Sequence, residues 1–430
     1  NADLSLSASQ VNIEDVFSTY VYTGNSSTQT IINGIDLAGE GGMVWTKSRS
    51  GTFSHNIFDT VRGLGTVQGN RPDLASNLTS AQIIAGEGIS TFNSNGYTLE
   101  SCTATNNASH TYVGWTFKKQ PRFFDMVMWE GDFTTNRTFN HDLGTDVGMM
   151  IVKAVDSTDP WYIYHSSLAN TQKMHFTTAA VSTDPDAWNS TTPTSTQFTI
   201  GENTNQAGTY IAYLFAHDPL GPSGDGSDGM IACGSFTQAS AIDVDVDLGW
   251  EPQYFLVKQT NDIGQWNVLD DMRGFLAGGG STSSRVLRPN LSNAEADFTI
   301  QKHSQGVTWP SGQYSFGTQT YIYMAIRRPM KTPLSSDEVF AIDTLTTTAP
   351  SYTSGFPVDM AMNSTGSISA SFYNDVVSRL TGSKFLRTSS TAAESSETYY
   401  VTDYMDGWDN RGGTNADQYS WMFKRAKGFF

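Results

Sequence analysis

In two places along this chain an acid stands three residues before an arginine. These are Asp59 and Arg62 in "DTVRG", and Asp270 and Arg273 in "DDMRG", where Asp271 adds a second carboxylate. A carboxylate and a guanidinium at that spacing can grip a ligand or fix a tight turn. Two carboxylates across a groove can also cleave a glycosidic bond. Recurrence of the motif in two otherwise divergent segments favours a structural ion pair at each turn and argues against a duplicated active site. Other chemistry lacks its residues. The seven histidines form no HExxH or HxH pair, and His165 and His175, ten residues apart, read as polar surface. No GxSxG elbow, GxxxxGK[ST] loop or GxGxxG before a helix is present, and the serine-rich "GGGSTSS" has no base implied beside it. The expectation is a non-enzymatic chain with no metal and no cofactor.

Aromatic side chains are the remaining candidates for binding. Trp161, Trp188, Trp266, Trp309 and Trp408 sit in or beside polar, turn-rich stretches. Exposed indole faces stack on sugar rings, whereas buried ones cap a sandwich core. Trp161 and Trp266 adjoin apolar runs and read as core. Trp188, Trp309 and Trp408 stay open between core and a ligand-binding role. The alternating "IDVDVDLGW" (Ile242–Trp250) is explained by a strand with one wet face, without invoking calcium.

Composition limits the class. Charged residues make up 16% and aromatics 12%, a mixture poor for long helices and suited to strands joined by polar turns. The net charge of −17 argues against nucleic acid and anionic membranes as partners. No apolar run approaches a bilayer span, so no membrane insertion is expected. Cys102 and Cys233 have no metal-site spacing and read as buried free thiols. Of the seven Asn-X-Ser/Thr sequons several are expected by accident in a chain this rich in these residues, and they would matter only in a protein secreted by a eukaryote.

These candidates are carried by a repeat. "TYVGWTFKKQP", "TYIAYLFAHDP", "TYIYMAIRRP" and "QYSWMFKRAKG" place Tyr112, Tyr210, Tyr321 and Tyr419 at steps of 98, 111 and 98. An apolar strand ends in Lys47, Lys153 and Lys258, and Met362 stands where a fourth lysine would be. The same order at one period is the mark of tandem modules. Short apolar runs between Gly/Asn/Ser/Thr/Asp clusters predict antiparallel strands, with "SNGY" as a hairpin turn. The fold expected is all-β, tandem jelly-roll-like β-sandwich modules of about a hundred residues. The modules are 1–122, 123–220, 230–330 and a more divergent 331–430, and 221–229 is a flexible linker that could divide the chain into two pairs. One short helix is expected over Ser369–Gly382. The closing "KGFF" stops where earlier modules run on, so the chain is expected to continue or to pack this end on another subunit.

"YTGNSSTQTIINGIDLAGEGGMVWTKSRS", "HNIFDTVRG" and "TYVGWTFKKQPRFFD", with "WNVLDDMRGF" and "TYIYMAIRRPM", resemble repeat modules of tailed-bacteriophage virion proteins, the marine type especially. The likeness is best in modules one and three and least in module four. It implies a structural and adhesive part of the virion exterior, such as a tail fibre or appendage. Its partners would be other virion proteins, copies of itself, and a host-surface glycan or protein. A capsid decoration protein and a secreted carbohydrate-binding or carbohydrate-degrading sandwich protein are the alternatives.

Overall fold

A computed structural model describes residues 11–64, 71–85, 88–239, 242–277, 283–312, 317–364, 374–410 and 418–430. These form antiparallel strands joined by turns, with helical structure limited to three-residue 3-10 turns. Among the described residues of the expected helix, 374–382, no α-helix forms. Asn374–Ser378 is a strand and Arg379–Thr381 a single 3-10 turn, while 369–373 lie outside the described residues. The alternation in "NDVVS" suits a half-buried strand, which outweighs its local helical pattern.

The same sheet is built four times. In the first module Phe17–Thr23 pairs with Thr111–Lys118, which pairs with Gly42–Ser48, which pairs with Asn56–Asp59. The second module repeats this order with Phe124–Gly131, Gly208–Ala216, Val147–Ala154 and Tyr162–His165. In the third the strands are Ile231–Gln238, Gln319–Arg327, Pro252–Gln259 and Trp266–Asp270. Phe340–Thr344, Tyr419–Phe423, Met360–Ser364 and Asn374–Ser378 complete the fourth. The recurring "TY…" line is therefore the strand between the module's first strand and its lysine strand. Smaller sheets cover one face of each, for example Gln29–Ile32, Gly96–Leu99 and Ile89–Asn93 in the first module. The repeated tyrosine stacks beneath that cover. Tyr112 lies on Tyr22 at 5.3 Å, Tyr210 on Trp129 at 5.4 Å and Tyr321 on Phe236 at 4.8 Å.

The opposite faces of the first three sheets meet one another. Gly42–Ser48 and Val147–Ala154 are buried at every position, as a strand covered on both faces must be. Met43, Trp45 and Trp115, then Met149, Ile151 and Tyr213, then Leu256, Trp266 and Met324 share one apolar core.

The contacts run in a closed cycle of three. Trp115 Nε1–H of the first module donates to Asp270 of the third at 2.8 Å. Tyr213 O–H of the second donates to Asp59 of the first at 2.7 Å. His165 Nε2–H of the second donates to the Tyr323 carbonyl of the third at 3.0 Å. Asp59, His165 and Asp270 hold the same register position, opposite Met43, Met149 and Tyr254. A second layer follows the same direction. Trp161 Nε1–H donates to the Ala75 and Leu78 carbonyls, Trp266 Nε1–H to the His175 carbonyl, and Ser76 Oγ–H to the Pro289 carbonyl. The first three modules are thus a ring with pseudo-three-fold symmetry. The glycine-rich linker does not split the chain into pairs, and Arg327 Nη1 binds the carbonyls of Gly226, Ser227 and Gly229 at 2.8, 3.0 and 3.2 Å.

Candidate functional site

The two acid–arginine turns are built alike. Asp59 accepts from the Arg62 backbone N–H at 2.8 Å and from Arg62 Nε at 2.6 Å, and Arg62 Nη2 reaches the Ile57 carbonyl at 2.8 Å. Asp270 accepts from the Arg273 N–H at 3.0 Å and from Arg273 Nε at 2.6 Å, and Arg273 Nη2 reaches the Val268 carbonyl at 3.0 Å. Both acids are buried, and each takes its third hydrogen bond from a neighbouring module. Burial alone would lower the Arg62 pKa, but Asp59 beside it holds it above its ordinary value. These groups fix turns and join modules. Asp271 belongs to a different set: its partner is Lys302 at 2.6 Å, not Arg273.

The open tryptophans resolve to the interior. Trp188, Trp309 and Trp408 are each 0% exposed, so no indole face is free for a sugar ring. Trp188 Nε1–H donates to the Gln172 carbonyl at 2.9 Å, Trp309 packs on Phe236 and Tyr321, and Trp408 Nε1–H donates to Ser420 Oγ at 2.8 Å. Trp309 and Trp408 lie in strands of the covering sheets and Trp188 in a turn, 185–190, so polar neighbours surround each buried ring. His165 is likewise buried rather than surface, and burial pushes its pKa down to about 4. Cys102 and Cys233 are both buried, 7% and 2% exposed. Among the described residues no group of three or more His, Cys, Asp or Glu is placed to hold a metal ion.

The repeated lysines cap turns. Lys47 Nζ donates to the carbonyls of Ser48 and Gly51 at 2.7 and 3.1 Å. Lys153 does the same to Ala154 and Ser157 at 2.5 and 2.9 Å. Lys258 reaches Gln259 at 2.6 Å and Thr178, in the neighbouring module, at 3.4 Å. Burial lowers their pKa values to about 7, 8 and 8.

The feature that sequence reasoning missed is in the fourth module. Its strands Met360–Ser364 and Asn374–Ser378 alternate strictly between buried and part-exposed positions, unlike the fully buried lysine strands of modules one and two. One face, with Ala361, Val377 and Met422, packs under the covering sheet. The other carries Met360, Met362, Trp421 and Phe423, with Ile342 55% and Leu386 52% exposed. Asp343 and Asp375 point to the covered side, where they accept from Thr353 N–H and from Arg387 and Tyr400. At the edge strand Lys384 shares this side with Leu386 and is ion-paired to Glu394 at 3.1 Å, and the rest of this mainly apolar face is built like an interface. The Phe430 ring lies 6.1 Å from Phe423 at one end of it.

The register explains how this face arose. In the first module Lys47 pairs with Val113, next to Tyr112, whereas Met362 pairs with Trp421, next to Ser420. The line "QYSWMF" is slipped by one residue. Ser420 takes the tyrosine's interior place and Tyr419 turns outward, 47% exposed. Charged bridges mount this module on the ring. Arg425 clasps Glu251 at 2.9 and 3.0 Å, and Arg49 joins Glu295 at 2.9 Å and Asp403 at 2.6 Å.

Residues 13–329 match a family described as Domain of unknown function (DUF7483). The match spans most of the chain, and the chain belongs to this family. Its limits coincide with the three-module ring and leave the fourth module outside. No curated protein matches the chain.

Proposed function

We propose that this DUF7483 protein is a structural and adhesive component of a bacteriophage particle, a fibre or appendage on the virion exterior. The observation that carries the reading is the uncovered apolar sheet of the fourth module, mounted on a closed ring whose own equivalent faces are consumed. A rigid ring with one sticky face suits a part that assembles with other subunits. The resemblance of modules one and three to virion repeats points to a phage particle. The acidic, water-compatible surface suits an external position. Adhesion to a host glycan or protein would fall to exposed loops, since the buried tryptophans offer no platform.

The test is a reconstruction of intact particles by electron microscopy. Density for the chain in an appendage at the tail or a vertex supports the proposal. Even coverage of the capsid lattice would make it a decoration protein, and absence from the particle would refute a structural role.

A further inference from the structure

We infer that three copies of this chain associate through the open sheet face of the fourth module, repeating between chains the contact that the first three modules make within one. The inference names the partner for the proposed structural role and rests on that reading, but it fails separately from it.

The fourth module has the same four strands in the same order as each ring module, and the open face is the one that the ring modules bury against each other. Equivalent positions carry side chains of the same kind. Trp45, Ile151 and Leu256 pair with Trp115, Tyr213 and Met324 at the ring centre, and Met360 pairs with Phe423 at the corresponding place. All are apolar or aromatic, and those of the ring are buried in one core.

Polar groups are matched as well. Trp115 and Tyr213 carry donors, and the neighbour that each meets supplies a carboxylate at the end of its outer strand. Phe423 has no donor, and the outer strand of its module ends in Ser378, whose hydroxyl is already used to cap the following turn. A copy meeting Phe423 at this strand end thus leaves no carboxylate stranded, which would otherwise destabilise the contact.

Charge favours the same surface. Chains carrying −17 repel one another, so close approach needs a face without unpaired acids; the named positions carry none, and at the edge the Glu394 carboxylate is neutralised by Lys384 at 3.1 Å. Order three follows from the type of contact. Within the ring each inner strand meets the outer strand of the next module, a head-to-tail contact that closes after three steps. A two-fold pair would instead set like against like.

The experiment uses the full chain. Its mass is measured by light scattering behind size exclusion, alongside the variants Ile342→Asp and Leu386→Asp. Both sites are more than half exposed, so neither substitution buries its charge in the folded monomer, and the unfolding midpoint of each variant is measured to check that its fold is intact. A three-fold mass for the native chain, falling to one chain in both variants, is the expected result. A monomeric or dimeric native chain, or a trimer untouched by both variants, overturns the inference. A chain found monomeric in particle appendages would sink the trimer and spare the virion role. A trimer absent from particles would do the reverse.

Discussion

Replacing Tyr213 by Phe removes one oxygen from the heart of the ring and little else. The hydroxyl is buried and donates at 2.7 Å to Asp59, an acceptor in another module. A hydrogen bond to a charged group contributes about 1.5–3 kcal/mol. Asp59 keeps both of its bonds from Arg62, so its charge is not orphaned and the loss should lie near the lower end, about 1.5 kcal/mol. The phenyl ring fills nearly the same volume, so no cavity term adds. Asp59→Ala is the harsher companion. It leaves the Arg62 guanidinium buried without its partner, and breaking such a pair costs about 3–5 kcal/mol. Urea unfolding followed by tryptophan fluorescence measures both, and the double variant gives their coupling. The coupling should approach the full Tyr213→Phe cost, since that bond is lost already in Asp59→Ala. A Tyr213→Phe cost below about 0.5 kcal/mol, additive with Asp59→Ala, would refute the module junction.

Two pH dependences follow from buried charges. Burial would raise the Glu251 pKa, but Lys302 and Arg425 hold it down to about 2 from an ordinary 4.5. This stabilisation is complete above pH 4.5 and is lost as pH falls toward 2. At about 1.4 kcal/mol per unit it amounts to about 3 kcal/mol. Glu251→Gln should therefore flatten the acid limb of a plot of unfolding midpoint against pH, and an unchanged limb would contradict the bridge. Burial lowers Lys47 from 10.5 to about 7, so between those values the unfolded chain holds a proton that the folded chain has released. Stability should rise with pH over that window relative to Lys47→Met, by up to about 1.4 kcal/mol per unit. A flat difference would place a charged ammonium inside the turn at neutral pH.

The repeat and its strands are legible because period-two patterns and turn residues recur with the same spacing. The Asp59–Arg62 and Asp270–Arg273 pairs are legible because each is local, closed within three residues. The ring is harder to read. Its signal is the near-continuous apolar run in "GMMIVK" and "YFLVK", which marks a strand covered on both faces but does not say by what. Trp188, Trp309 and Trp408 mislead because their polar neighbours belong to a turn in the first case and to the covering sheets in the other two, each with its indole turned inward. The fourth module hides its open face behind a one-residue slip, since matching Tyr419 to the other tyrosines aligns letters while reversing the faces. Asp271 finds Lys302, thirty-one residues away, a pairing that sequence spacing does not reveal.

The closed ring is tested most directly by cutting the chain between its second and third modules. A protease site placed at Gly224, in an exposed turn where an added Cβ meets nothing within 4 Å, separates the chain into 1–224 and 225–430 outside the module junctions. After cleavage is complete on a denaturing gel, native size exclusion reports whether the halves stay together. The ring predicts co-migration at the uncut volume, because the third module remains bound to both the first and the second. Two separate peaks would mean that the modules are independent beads on a string, and the account of the ring would be wrong.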